Sequence, residues 1–503
     1  IAYQNLIKSN CAASLEDICL TSNIGRHHFD YRQGIVAKDK QELIEKLAAI
    51  SIKEPIQHHK LAFLFTGQGS QYVGMARQLY DTCDVFKENC DRCWEICDIN
   101  TVGANGDALA NPLGRSPLQY EMPLWDVDIN QTQYVQPLLF IIEYSLAQLW
   151  LSWGIKPDVT IGHSIGEYVA ATIAEIFSLE NALKLVSARG KLMQSLPENG
   201  AMLAVFSSQE RINYLLDRQI SIAADNGTHL VLSGLKNDIE RIRQQLESFS
   251  IKTKLLEVSH AFHSPLMQPM IEAFKVVAES INYSSPKIPI ISNLTGELAD
   301  ETIATADYWI KHILQPVQFA KSIEYLNSQQ VDIFLEVGTK PILKSIVTGI
   351  IDNQDHQLFL HSLDQQQADW QNILENLAQL YTAGIEINWQ AVTQNYNANK
   401  ISLPTYPFQR QRYWFDLPLK VTNHQSIKSI ANLIHPLLGK LISSPLKQTI
   451  FQSYLQTDTY NWLQDHCLAD KIIFPGAAYL EIAIALGLFH GKSNRLLIEN
   501  IDI

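Results

Sequence analysis

The residues best suited to covalent chemistry sit in one short run, Gly162-His163-Ser164-Ile165-Gly166. The run follows a β-branched stretch, Val159 to Ile161, and precedes a helical one, EYVAATIAEI. A strand, a glycine-flanked serine and a helix in that order make a nucleophile elbow. The tight turn lifts the serine Oγ above the sheet, and the helix N-terminus favours negative charge as it develops. The plain alternative is a glycine-rich turn with a capping serine. A serine hydroxyl needs a base, and the chain has 15 histidines. Two of them, His260 and His263 in SHAFHS, follow a strand-like segment that can return the chain to the sheet edge, and the residues alone do not choose between them. The turn Gly67-Gln68-Gly69-Ser70 lacks the Gly-Lys-Ser/Thr ending of a phosphate loop. Its backbone N–H groups could instead join that of Ile165 around an oxyanion, unless it is a plain turn between strand and helix.

These groups require a sheet to hold them. The run LAFLF from Leu61 and the stretch Val159 to Ile161 read as fully buried strands, each followed by a helix, which places the chain in the α/β class with a parallel sheet. Between Ala201 and Val258 the order β-α-β-β-α-β predicts an inserted ferredoxin-like subdomain at about residues 200–258. The larger pattern resumes with IPIISN and VDIFLEVG and is expected to end near residue 350. Residues 1–57 alternate strand-like and helical stretches, with a polar turn at Thr21 to Arg26 and a helix at Lys40 to Leu47. They read as a small α/β linker domain, followed by a charged linker around Ser51 to Lys60. A Gln- and Asn-rich region from Gln365 to Lys400 carries two helix-like stretches and leads to the aromatic and basic strip TYPFQRQRYWF. A last unit starts near Leu433 with HPLLG, strand-like segments and an apolar helix through Leu488.

The chain has 503 residues, 46% of them hydrophobic, enough for several cores. A net charge of -13 leaves no broad basic surface, which argues against nucleic acid and anionic membranes as partners. The longest apolar stretch, Pro137 to Ile155, is interrupted by Glu143 and Gln148 and reads as a buried helix, not a membrane span. Seven cysteines are too few for a disulfide framework and favour a reducing, cytoplasmic setting. Cys83, Cys90, Cys93 and Cys97 fall on one helical face and read as core, with no metal site expected. The chain starts at Ile1 and stops within a strand-like run, so both ends look cut from something longer.

With TGQGSQ, GHSIGE, SARGKLM and HAFHS in this order, residues 60 to 350 resemble the malonyl-CoA:carrier-protein acyltransferase family. The resemblance implies Ser164 as acylated nucleophile, His263 as base, and the backbone N–H groups of Gln68 and Ile165 as oxyanion donors. It further implies Gln136, in QPLLF, as a pocket residue and Arg189 as the clamp for the malonyl carboxylate. A planar, permanently charged guanidinium suits that task, although an arginine in SARGKLM would otherwise read as a solvated helix residue. The family orients its histidine with a backbone carbonyl, so no catalytic acid is expected. HAFH resembles the malonyl-selecting form of a four-residue motif, in which Phe262, beside His260, crowds the place of an α-methyl group.

The flanks resemble a modular type I polyketide synthase. Residues 1–57, with TSNIGRHHFDYR, look like the linker between ketosynthase and acyltransferase, and the acyltransferase then runs over 58–350. Residues 351–418, with YPFQRQRYWF, look like its C-terminal part and following linker, and residues 433–503 like the start of a double hot-dog dehydratase domain. There His466 would be the base, with Asp470 where the motif usually has glycine. The resemblance implies malonyl-CoA as substrate, no cofactor on the acyltransferase itself, and phosphopantetheine carried by an acyl carrier protein. Adjacent ketosynthase and dehydratase domains are the other implied partners. Two alternatives stay open. An α/β-hydrolase or thioesterase shares the elbow but wants an acidic residue between serine and histidine, and a scaffold would hold its neighbours without catalysis.

Overall fold

The computed structural model describes residues 1–9, 12–50, 60–101, 128–216, 219–258, 260–351, 357–411 and 433–491. The expected charged linker, except Lys60, and the aromatic strip from residue 412 onward lie outside them. The chain forms two compact units, residues 1–404 and 405–503.

Along the first unit run the strands β1 (Leu61–Phe65), β2 (Val159–Gly162), β3 (Gly200–Val205), β4 (Ser221–Asp225) and β5 (Leu230–Leu235). They continue as β6 (Thr253–Leu255), β7 (Ile290–Ile291), β8 (Val317–Gln318), β9 (Ile333–Val337) and β10 (Leu358–His361). Five of them make a parallel sheet in the order β10-β9-β1-β2-β7. Strands β1, β2 and β9 are buried along their whole length, as their unbroken apolar runs require when helices cover both faces. The stretch from Pro137 lies in the helix Thr132–Ser152, whose Leu139, Phe140, Ile141, Ile142 and Leu146 are fully covered. Among the described residues no helix is long and apolar enough to cross a membrane. Cys90, Cys93 and Cys97 lie on the helix Asp84–Thr101 and, with Cys83 just before it, are buried in the main core.

Phe65 pairs with Gly162. The loop leaving β1 and the turn leaving β2 therefore emerge side by side at the carboxyl edge of the sheet, where α/β folds build their sites. The sheet does not end near residue 350. Strand β10 adds its edge, and the helix Asp369–Ala383 places Ile373, Leu377 and Leu380 in the same core. Gln371 and Gln379 lie exposed on this helix and Asn372 and Asn376 are buried in it, while Ile373, Leu377 and Leu380, three and four apart, carry its apolar packing.

Strands β3 to β6 form the expected β-α-β-β-α-β unit, an antiparallel sheet ordered β6-β3-β5-β4. The helix Lys236–Ser248 covers it with Ile239, Ile242 and Leu246, while the first helix is a single turn, Gln209–Ile212. One further strand joins it: β8 runs parallel to β4, pairing Val317 with Ala224 and Gln318 with Asp225. Two residues are too few to show a strand period in sequence.

The leading segment departs from expectation. Its described residues form the helices Ala2–Lys8, Leu15–Ile24 and Lys40–Ala48, without the strands read there. A capping box of Ser14 and Asp17 starts the second helix and the Asp39 carboxylate the third. Of the polar turn expected at Thr21 to Arg26, Thr21–Ile24 form the last turn of the second helix and the chain bends at Gly25 and Arg26; Thr21 is buried and its Oγ1 accepts from Ile401 N–H at 2.9 Å. Ile7, Ile18 and Leu43 close a small core with Leu403.

In the second unit the antiparallel strands Leu433–His435, Gly439–Ile442 and Ile450–Gln452 are followed by a short hairpin and the helix Gly476–His490. The hairpin pairs Cys467–Leu468 with Lys471–Ile472 across Ala469 and Asp470, at φ 45° and 61°. Position 470 thus holds the left-handed backbone that glycine adopts freely and aspartate tolerates.

Candidate active site

Strand β2 delivers the chain into the elbow, where Ser164 takes a left-handed φ of 54°. Two glycines make the turn feasible. A Cβ on Gly162 would lie 2.0 Å from Glu167 N, and one on Gly166 would lie 2.3 Å from the Phe65 carbonyl oxygen. The strained serine is held by Asn293, just beyond β7. Its Oδ1 accepts from Ser164 N–H at 2.8 Å and its Nδ2 donates to the Gly162 carbonyl at 2.6 Å. Asn293 is itself fixed through its N–H, which approaches both oxygens of the Glu167 carboxyl at 3.2 and 3.3 Å.

Of the two candidate histidines, the structure brings His263 to the serine. His263 Nε2 lies 2.7 Å from Ser164 Oγ, and its Nδ1 lies 2.9 Å from the Gln315 carbonyl. A carbonyl accepts only, so Nδ1 carries the proton and Nε2 presents a lone pair to the hydroxyl. His263 is buried, with φ 55°. Burial, reinforced by His312 and the Arg189 charge, pushes its pKa well below the ordinary histidine range, so the ring is neutral and ready to accept. His260 turns away, with Nε2 at 3.0 Å from the Leu196 carbonyl. Phe262 is buried between them in sequence, with its ring 6.1 Å from that of His260.

The nucleophile helix Gly166–Ile173 and the helix Leu179–Gln194 bring an arginine into the same interior. Arg189 is 1% exposed, its Cζ stands 5.7 Å from the Tyr168 ring centre, and its Nε has no partner. It makes no ion pair among the described residues. On the adjoining helix, Gln136 donates from Nε2 to Met193 Sδ at 3.4 Å and leaves its buried Oε1 without a partner, and the Tyr168 hydroxyl, within the influence of the Arg189 charge, makes no aligned hydrogen bond. Buried polar atoms are rarely left so, and a cluster of them around an unpaired cation is what an anionic, hydrogen-bonding ligand would satisfy.

The backbone N–H groups of Gln68 and Ile165 make no hydrogen bond within the described chain. The two loops touch: a Cβ on Gly67 would stand 2.9 Å from the His163 carbonyl oxygen. The loop is anchored from below, because Thr66 Oγ1 bonds Ser70 Oγ at 2.9 Å and donates to the buried carboxyl of Glu143, while Thr339 Oγ1 donates to the Ser70 carbonyl at 2.6 Å. Burial drives Glu143 well above the usual carboxyl range.

The sequence reading did not single out Asn293, Glu167 or His312. The Glu167 carboxyl accepts from the Tyr308 hydroxyl and has His312 Nε2 at 3.0 Å from its Oε2, though neither nitrogen of His312 has an aligned hydrogen-bond partner. Burial raises Glu167 to about 8 and lowers His312 well below its ordinary value, so the pair is uncharged. The signal is present in GHSIGE itself, because a carboxyl group opening an otherwise apolar buried helix needs partners. In the second unit His466 is exposed, with Nδ1 2.8 Å from the Ile473 carbonyl.

A serine, a neutral base oriented by a carbonyl, free N–H groups and an unpaired arginine can carry out acyl transfer on a substrate that bears a carboxylate. Comparison with known proteins agrees with this chemistry. The acyl transferase domain family matches residues 62–387, the polyketide synthase dehydratase domain residues 435–503, and the CurL-like polyketide synthase C-terminal family residues 1–47. The polyketide synthase GfsB of Streptomyces halstedii is 34% identical over 499 residues, 95% of this chain but only 9% of that synthase's length. The acyltransferase domain from the second module of the salinomycin polyketide synthase is 32% identical with a TM-score of 0.64, over 80% of this chain and 95% of that one. The malonyl CoA-acyl carrier protein transacylase of Coxiella burnetii is 26% identical with a TM-score of 0.53, over 65% of this chain and 99% of that one. The chain therefore belongs to the modular type I polyketide synthases and carries an acyltransferase domain followed by the beginning of a dehydratase domain.

Proposed function

We propose that the acyltransferase moves a malonyl unit from CoA to the phosphopantetheine thiol of an acyl carrier protein through malonyl-Ser164. Ser164 Oγ attacks the thioester carbonyl carbon while its proton passes to His263 Nε2. The oxyanion is held by Gln68 and Ile165 N–H, the C–S bond breaks, and the CoA sulfur leaves with the proton from His263. The carrier thiol then gives its proton to His263, attacks the acyl-serine, and Ser164 recovers its hydrogen as the ester bond breaks. No bound cofactor takes part in either half.

The observation that carries this reading is the 2.7 Å pair of Ser164 and His263 beside a buried arginine without an anionic partner. Arg189 grips the malonyl carboxylate with two parallel hydrogen bonds, with Gln136 lining the same pocket. Phe262 disfavours an α-methyl group, by about 1–3 kcal/mol. His260, bonded to the Leu196 carbonyl, supports the segment that carries Phe262 and His263. We assign residues 1–57 to the ketosynthase-acyltransferase linker, 58–350 with its extension over 351–418 to the acyltransferase and following linker, and 433–503 to the dehydratase, with His466 its base. Adjacent ketosynthase and dehydratase domains are then partners in a cytoplasmic synthase.

The test is transfer from malonyl-CoA to a phosphopantetheinylated acyl carrier protein. The expected product is malonyl-carrier protein formed faster than free malonate. Free malonate with an unloaded carrier would favour a hydrolase, and neither product would favour a scaffold.

A further inference from the structure

A chain of polar side chains leads from the elbow into the ferredoxin-like subdomain, and the transfer steps do not use it. His163 Nε2 lies 2.9 Å from Asn226 Oδ1, Asn226 Nδ2 lies 3.0 Å from His229 Nε2, and His229 Nδ1 lies 3.0 Å from Thr228 Oγ1. One arrangement of protons satisfies every contact. His163 donates from Nε2 to the amide oxygen, the amide nitrogen donates to His229 Nε2, and His229 donates from Nδ1 to the Thr228 hydroxyl. Both rings are neutral in it, in keeping with burial, which lowers His163 to about 4 and lowers His229 as well. The amide presents its oxygen to His163 because His229 offers a lone pair to the amide nitrogen.

This network adjoins the nucleophile directly and reaches the support of the base through the sheet. His163 immediately precedes Ser164, and its carbonyl and ring back onto the oxyanion loop: a Cβ on Gly67 would meet His163 O at 2.9 Å and His163 Nδ1 at 3.1 Å. Asn226, 3% exposed, follows directly on β4, which pairs with β8. Strand β8 begins two residues after the Gln315 carbonyl that orients His263, and Gln318 N–H donates to the Asn293 carbonyl at 2.8 Å. A shift of the turn 226–229 thus acts on the nucleophile, the oxyanion loop and the base together.

We propose that Asn226, held in one amide orientation by His229, is a positioning residue that fixes the His163 ring and, through it, the Ser164 turn against the oxyanion loop. The proposal rests on the reading of Ser164 as the acylated nucleophile. Asn226 and His229 act at a distance from the reacting atoms and set their alignment, to which transfer rates are steeply sensitive.

The full chain is compared with Asn226→Ala, His229→Ala, the double variant and Asn226→Asp. Three quantities are read: the rate of Ser164 malonylation at saturating malonyl-CoA, the donor concentration giving half that rate, and the rate of Ser164 labelling by a sulfonyl fluoride. Asn226→Ala is expected to slow malonylation and labelling about tenfold, the equivalent of one buried hydrogen bond, with the half-saturating concentration within about twofold. His229→Ala is expected to slow both about threefold, and the double variant to be no slower than Asn226→Ala, because His229 acts through Asn226. Asn226→Asp, which still accepts from His163, is expected to recover most of the rate. Unchanged rates in folded Asn226→Ala, or losses that multiply in the double variant, overturn the proposal. If Asn226→Ala does not fold, His229→Ala decides, and wild-type rates there overturn it. If the sulfonyl fluoride labels wild-type Ser164 but malonyl-CoA does not, the substrate reading fails and the labelling rates alone judge the positioning role.

Discussion

Replacing Arg189 with methionine is expected to move activity and stability in opposite directions. In the free protein the guanidinium is 1% exposed, its Nε is unpartnered, and burial weakens its hold on its proton. A buried cation without a counter-ion costs several kcal/mol even after relaxation. Methionine keeps an unbranched apolar stem against Tyr168 and removes the charge, so the unfolding free energy should rise by about 1–3 kcal/mol. With malonyl bound the sign reverses. Two charge-assisted hydrogen bonds to the carboxylate, about 1.5–3 kcal/mol each, sum to about 3–6 kcal/mol, a loss of about a hundredfold to ten-thousandfold in acylation by malonyl-CoA. Acetyl-CoA, which has no carboxylate, should lose nothing. The assay is quenched-flow acylation followed by intact mass with each donor, beside thermal melting. If a folded Arg189→Met accepts malonyl from CoA within about threefold of wild type, the carboxylate clamp is refuted. A lower melting temperature would refute the unpaired-cation argument on its own.

Asn293→Ala removes the acceptor for Ser164 N–H and the donor to the Gly162 carbonyl. Stopped acylation assays should show a loss of about tenfold to a hundredfold, with a stability loss of about 1–3 kcal/mol in denaturant melts. Because burial depresses the His263 pKa, the acylation rate should stay on its plateau from about pH 6.5 upward and fall only below the ordinary histidine range, and a midpoint at or above about 6.5 contradicts the assignment. The same shift has a defined sign in stability: His263 contributes fully above its unfolded pKa, and the contribution is lost as pH falls towards the folded value, because the unfolded chain takes the proton first. Phe262→Ala should raise methylmalonyl relative to malonyl transfer by about fivefold to a hundredfold in a mixed-donor competition, and an unchanged ratio would remove Phe262 from selection.

Much of this site was readable because its motifs are local. The elbow residues lie within five positions, directly between a short β-branched run and a helix-forming one. The ferredoxin-like subdomain was equally visible, since its strands and second helix follow one another without interruption. Groups assembled from distant segments were harder to find. The choice of His263 over His260 depends on the Gln315 carbonyl, 52 residues further along, and a backbone carbonyl has no residue type to recognise. Asn293 lies 129 residues from the serine it holds. Where local pattern misled, a competing local rule had won: the capping box at Ser14 sets a helix in a segment read partly as strand, and the Gln- and Asn-rich composition around the helix Asp369–Ala383 masks the core positions Ile373, Leu377 and Leu380 that it carries.

The central claim is that Ser164 carries the acyl group, and intact-mass measurement after brief exposure to malonyl-CoA tests it most directly. The account predicts one malonyl adduct on the wild-type chain, located to Ser164 by peptide mapping, discharged on adding carrier protein and lacking in Ser164→Ala. A folded wild-type chain that stays unmodified at short times, or an adduct that persists in Ser164→Ala, would contradict it.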